Sequence, residues 1–277
     1  MTTQNSATPE PSTTTTPPPA PKPDIGIDIP FPATESRQLE IGVGACKLKV
    51  SPGGAEPWVT GTYHDPRNAL PLQVDTKGNV ARISQQFSGS EWWSIFGNQL
   101  PSFDLRLGKA YSYTLTVETG ASDCALELGG LPLSALKIRQ GAGKFAVDFS
   151  MPNPQRLTKF SVEGGAASLE MNRLGDANFA ELSVAGGAAG YKLNFDGKLQ
   201  ENATVRVNAG ASSVEIEVPA ATAARIISET TIGSINVGDG FTKQQGAFCT
   251  QAALAGGTPL LTIHVTVALG SIQLRII

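Results

Sequence analysis

With 277 residues, 16% of them charged, a formal net charge of −3 and no Lys/Arg-rich run, the chain lacks the electrostatic footprint of a nucleic-acid binder, and nucleic acid is not expected as a partner. Thirty glycines and only 6% aromatics suit many short strands joined by tight corners better than a helical bundle. There is no apolar run long enough to span a bilayer and no basic, then apolar, leader, so neither a transmembrane segment nor a secretion signal is expected in this chain.

Residues 1–36 read as a disordered tether. Residues 1–24 alone hold seven Thr and seven Pro, and a segment with so little apolar surface cannot offset its ordering entropy. Residues 37–277 read as one all-β domain, divided into an irregular capping part, 37–114, and a regular part, 115–277. In the capping part, "LEIGVGACKLKV" is followed by the strand-like stretches "PWVTGTYH", "LPLQVD", "NVARISQQF" and "FDLRL". These are expected to form hairpins that cover the first coil, since stacked coils need their end strands hidden. Within it, "SGSEWWSIFGNQLPSF" carries Trp92, Trp93 and Phe96. The cluster suits a plug at the end of the coil, a partner-binding site or a membrane-interface anchor; the plug is the first expectation, because a tryptophan pair favours burial with one polar edge.

In the regular part, Gly-small corners stand between alternating segments at Gly120, Gly141, Gly165, Gly187, Gly210 and Gly233, in steps of 21, 24, 22, 23 and 23 residues. A period near 22 signals stacked units, each of which buries its apolar face only against its neighbours. A β-solenoid is therefore expected, with the last stretch, "PLLTIHVTVALGSIQLRII", supplying two strands that close the far end. The glycines serve turning rather than phosphate binding: Gly143-Lys144 is followed by Phe145, and Ile138 stands where a phosphate loop needs glycine. Inward pairs are expected at Leu126/Leu128, Val147/Phe149, Leu169/Met171, Leu193/Phe195, Ile216/Val218, Ile235/Val237 and Ile272/Leu274. Cys124 falls in an interior column two residues earlier, with Cys46 as its match. Three widely spaced cysteines, Cys46, Cys124 and Cys249, suggest free thiols, the first two serving packing rather than catalysis.

The outward residues between the pairs include Glu127, Asp148 and Glu170, which would stack on adjacent rungs about 4.8 Å apart and repel one another. Neighbouring lysines and water are the ordinary compensation; a weak Ca²⁺ site on these three carboxylates, or a stripe for a basic partner, is the alternative. His64 and His264 are the only histidines, and His264 is expected to face solvent or to pack at an end rather than to act as a ligand. No zinc spacing, nucleophile elbow or cofactor motif occurs, so no catalytic residue and no cofactor are expected.

The segments "LELGGLPLSALKIRQGAGKFAVDF", "GGAAGYKLNFDGKL", "NAGASSVEIEVPA" and "VALGSIQLR" resemble the toast-rack β-solenoid domain of bacterial envelope-stress proteins, including LiaF-like cell-wall-active-antibiotics response proteins and relatives of the phage-shock modules. The resemblance implies a non-catalytic interaction or scaffold module of the cell envelope that binds a protein partner. It would reach the membrane only through that partner or through an anchor outside this chain. A surface adhesin or structural spacer is the alternative, and a carbohydrate-active β-helix enzyme a more distant one.

Overall fold

Period-two alternation of apolar and polar residues becomes strand almost throughout the computed structural model, which describes residues 24–67, 70–86 and 100–277. Along the chain lie β1 (Ile25–Ile29), β2 (Arg37–Val43), β3 (Lys47–Pro52), β4 (Val59–His64), β5 (Leu72–Lys77), β6 (Val80–Gln85), β7 (Ser102–Leu107), β8 (Tyr113–Ala121) and β9 (Asp123–Glu127). The longer strands follow: β10 (Leu133–Asp148), β11 (Lys159–Asn172), β12 (Glu181–Gly186), β13 (Gly190–Asn194), β14 (Ala203–Val218) and β15 (Ala223–Val237). The hairpin β16 (Phe241–Gln244) and β17 (Ala247–Thr250), the one-turn helix α1 (Gln251–Leu254) and β18 (Leu260–Ile276) complete the described residues.

β10 shows how a rung is built. It runs unbroken through the corner at Gly141, its first arm pairing in parallel with β8 and β11, its second with β9 and β11. Leu115, Leu136, Phe160, Leu182 and Val205 are neighbours on the first arm, in offsets of 21, 24, 22 and 23 residues. On the second arm the column reads Leu126, Val147, Met171, Leu193, Ile216 and Leu274. All of these are 2% exposed or less, so the two arms enclose one continuous apolar core. Each such side chain contributes about 1.5–3 kcal/mol relative to its exposed state.

The corner itself is set by backbone contact. A Cβ on Gly120 would lie 3.2 Å from the Gly44 carbonyl oxygen; on Gly141, 2.8 Å from that of Gly120; on Gly165, 2.5 Å from that of Gly141; on Gly210, 2.8 Å from that of Gly187. The glycines thus form a column in which each rung rests on the carbonyl of the one before. Gly233 does not belong to it. The register of β15 and β18 puts Thr231 and Ala268 at the corner and sets Gly233 and Gly270 two residues further on.

Several expectations need correction. Residues 25–36 are not all tether: "IGIDI" alternates, and β1 buries Ile27 and Ile29 while pairing antiparallel with β4. Three inward pairs slip by one pleat. Val147 lies beside Met171 rather than Leu169, and Ile216 beside Leu274, which lies beside Val237. The count from corner to column is in fact constant at six residues, from Gly165 to Met171 as from Gly141 to Val147, and from Thr231 to Val237 and Ala268 to Leu274; the expected pairs began two residues early at Leu169, Ile235 and Ile272. Cys46 is not in the column of Cys124, whose neighbour is Leu48.

The ends of the ladder are interleaved rather than stacked in chain order. β2 and β3 form an inner rung on β8 and β9, while β6 and β7, later in sequence, pair in parallel on their outer side. Antiparallel β5 covers β6; β4 covers β7 and β1 covers β4. Phe31 stacks on buried Trp58 at 5.6 Å, and Trp58 meets Tyr113 edge-on at 5.8 Å, sealing this end. Trp92, Trp93 and Phe96 lie outside the described residues. At the other end the last stretch makes one strand, not two: β18 inserts between β14 and β15 and is hydrogen-bonded along both edges.

Because β18 supports two neighbours, a chain ending at Thr258 should lose cooperative unfolding of the C-terminal rungs. Ile263→Ala, at a fully buried position of β18, should cost about 2–5 kcal/mol. Urea melts followed by circular dichroism check both.

Candidate functional site

The outward side chains of the second arms form polar rows across the rungs. One row reads His64, Ser102, Lys47, Asp123, Lys144 and Ser168, placed by the pairing of β4, β7, β3, β9, β10 and β11. Beside it run Thr62, Asp104, Lys49, Ala125, Ala146 and Glu170. Ala125 and Ala146 are the small members, and the depression over them opens into a groove of about 840 Å³. That is within the range of ligand clefts. Its rim carries both charges. Lys49 Nζ lies 3.5 Å from Asp104 Oδ2, and His64 Nδ1 is 2.7 Å from Asp24 Oδ1 at the capped end. The Lys144 backbone N–H donates to Asp123 Oδ1 at 3.3 Å. Among the described residues the ammonium groups of Lys47 and Lys144 have no ion-pair partner, so they are the cations available to an incoming group.

The expected stack of three acids is only a pair. Glu127 and Asp148 are register neighbours, but the next residue in their row is Asn172; Glu170 sits one row over, beside Ala146. Arg173, with a left-handed backbone at φ 53°, turns its guanidinium onto the pair, 2.6 Å from Asp148 Oδ1 and 3.9 Å from Glu127 Oε2. Glu127 Oε1 also accepts the backbone N–H groups of Gly129 and Ser150 at 2.8 and 3.0 Å. The compensating cation is thus an arginine from the connector after β11, in place of the lysines expected. No group of three or more His, Cys, Asp or Glu suited to a metal occurs among the described residues.

Further along, Glu217 is the carboxylate the chain controls most closely. Its residue is 7% exposed. Burial pulls its pKa up, but Asn194 Nδ2, donating at 2.8 Å, and the Lys192 ammonium at 3.2 Å together hold it below the ordinary value. On the outward face of the first arms, Arg139 bridges Glu118 and Glu163 at 2.9 and 3.1 Å. These are ladder contacts that keep like charges apart.

Cys46, Cys124 and Cys249 are free and buried. Burial pushes the Cys46 thiol to about 11 and the Cys124 thiol to about 12, so both are neutral at physiological pH and poor nucleophiles. His264 is exposed in β18 as its alternation requires. Sequence reasoning missed the groove lysines and the Asp24–His64 pair. The alternation in "ACKLKV" and "AGKFAV" was legible, but which rungs stand side by side depends on the interleaved end.

Two outcomes follow. Cys124 should resist thiol reagents in the native state and react once urea unfolds the chain, as mass spectrometry would show. A carboxylate held low stabilises the fold above its ordinary pKa and loses that contribution as pH falls through its folded value. Glu217→Gln should therefore cost about 1–2 kcal/mol at neutral pH, and the gap to the parent should close in acid melts.

Among solved structures, similarity is found to a candidate cell adhesion protein of Clostridium sporogenes, at 15% identity and a TM-score of 0.49 over 93% of this chain and 100% of that one. A candidate adhesin of Bacteroides fragilis follows at 14% identity, a TM-score of 0.34, and 92% and 98% coverage. A candidate adhesin of Parabacteroides merdae shows 10% identity and a TM-score of 0.33 over 91% and 95%. No curated protein matches the sequence. Residues 19–172 match the family model for the N-terminal domain of toast-rack proteins, DUF2154. With more than half its length matched, from before β1 to the end of β11, the chain belongs to the toast-rack family.

Proposed function

We propose that this chain is a non-catalytic binding module of the bacterial cell surface or envelope, an adhesin-like β-solenoid that presents its second-arm face to an extended, charge-bearing polymer. The observation that carries the reading is the open groove at the capped end, where Lys47 and Lys144 stand unpaired beside the exposed floor of Ala125 and Ala146. A groove that runs across the rungs offers a periodic row of contacts to a linear ligand. Its apolar floor and mixed-charge rim suit a polymer with charged substituents.

A regulatory scaffold in envelope stress is the finer reading that the resemblance suggests; it differs in that the groove would hold a partner protein. Co-sedimentation with purified peptidoglycan sacculi separates the two. The adhesin reading expects saturable binding that weakens with salt. It also expects the double change Lys47→Glu, Lys144→Glu to weaken binding about tenfold or more, with melting temperature unchanged. Release of soluble fragments would overturn the non-catalytic assignment, and binding indifferent to the two lysines would overturn the groove.

A further inference from the structure

The groove at the capped end has a shape and a charge order of its own. Its outward positions come from β4, β7, β3, β9, β10 and β11, two to a strand, in the rows that begin at His64 and Thr62. With rungs about 4.8 Å apart and alternate residues about 6.6 Å apart along a strand, this is a trough roughly 24 Å long and roughly 7 Å wide. Such a trough takes one linear chain laid across the strands. In its first row Lys47, Asp123 and Lys144 follow one another on successive rungs, so the two cations stand two rungs apart, about 9.6 Å at the backbone, with a carboxylate between them. Among the described residues neither lysine has an ion-pair partner, and Asp123 accepts only the Lys144 backbone N–H, through Oδ1 at 3.3 Å. Past Lys144 the row continues as Ser168, Gly190, Ser213, Ser271 and Ser234, with no further charge.

We infer that the groove takes a β-linked glycan in which every second sugar carries a carboxylate, with the chain laid along the stacking direction of the rungs. This rests on the groove reading above and names its ligand. Charge order selects the spacing. A polymer with an acid on every sugar would set one against Asp123 and others over the uncharged serines. A neutral glycan would leave both lysines unused. Carboxylates two rungs apart meet Lys47 and Lys144 and clear Asp123, which is the complementarity that fixes register.

Spacing also separates a glycan from a peptide. Side chains on one face of an extended peptide recur about every 6.6 Å, out of step with an interval of about 9.6 Å. An extended β-linked glycan advances by close to one rung per sugar and turns each ring over relative to the last. A group on every second sugar therefore returns to the same face every two rungs. The sugar between them offers hydroxyl or amide N–H donors, which Asp123 Oδ2 is placed to accept. In the second row the exposed methyl groups of Ala125 and Ala146 leave room for the rings to lie down.

The test is titration calorimetry of the full chain with length-matched soluble glycans: peptide-free peptidoglycan strands, which bear a lactyl carboxylate on every second sugar; the same strands with those carboxyls converted to neutral amides; and polymannuronate, with a carboxylate on every sugar. The first should bind on the order of fivefold more tightly than either of the others. Lys47→Met and Lys144→Met should each weaken it about two- to fivefold at unchanged melting temperature. Asp123→Lys, which makes the row uniformly cationic, should reverse the preference in favour of polymannuronate. Equal binding of the alternating and uniform acids, or an order that Asp123→Lys leaves as it was, overturns the inference while the groove reading stands. So does binding to whole sacculi that depends on the two lysines without binding to any of the free strands. Failure to bind sacculi and strands alike overturns both.

Discussion

The whole architecture hangs on how closely one corner can sit on the next. Hydrogen bonding sets rungs about 4.8 Å apart, and at that spacing a Cβ on Gly141, Gly165 or Gly210 would lie 2.5–2.8 Å from the carbonyl oxygen of the corner before it, and one on Gly120 or Gly187 3.2–3.3 Å from it. Were a Cβ forced between Gly165 and the Gly141 carbonyl, the rungs would have to spread at the hinge of the two arms. The columns through Leu136 and Val147 would then lose their contacts together. The last two rungs keep the requirement but move it. A Cβ on Gly270 would strike the Ser212 carbonyl and one on Gly233 that of Gly270, with Gly270 at φ 139° in a region other residues avoid.

Given that hinge, the outside of the ladder must solve a charge problem in rows. Residues that share a register position share a row, so acids accumulate wherever neighbouring repeats resemble each other. The chain answers locally and differently each time. Arg173 leaves its strand in a left-handed turn to cover Glu127 and Asp148; Arg139 bridges two glutamates; Lys192 and Asn194 attend Glu217. Lys47 and Lys144, on either side of Asp123 in their row and without an ion-pair partner among the described residues, stand over an alanine floor where they are free to meet another molecule.

Strand content, two arms about a glycine hinge and the burial of Cys124 could be read from the sequence, because each follows from local alternation and the small-residue corner. The registers of Ile235 and Ile272 could not. Their corners are Thr231 and Ala268, so the nearest glycines, Gly233 and Gly270, mark a point two residues too late, whereas Leu169 needed only the six-residue count from Gly165, which gives Met171. Nor did "IGIDI" announce itself inside a proline-rich stretch. Its partner, β4, lies more than thirty residues on, and only that pairing makes Ile27 and Ile29 core residues. The groove is illegible for a related reason: it is formed by strands from both sides of an interleaved end.

That interleaving shapes how the protein comes into being during synthesis. Most rungs can settle on the one before as they emerge, in chain order. β15 cannot: its permanent neighbour is β18, so residues 223–237 wait, with Ile226, Ile235 and Val237 unpacked, until residues 260–276 have been made. In that interval β14 offers its open side to whichever strand arrives first. Its correct occupant is the later one, so completion of this end is a sorting step between two similar strands rather than simple accretion. In the finished ladder Val265 and Val267 of β18 lie over Val207 and Ala209 of β14, and Ser228 and Thr230 of β15 stand one rung further out, so the strand made last completes the apolar layer and the hydroxyl-bearing strand ends up outside it.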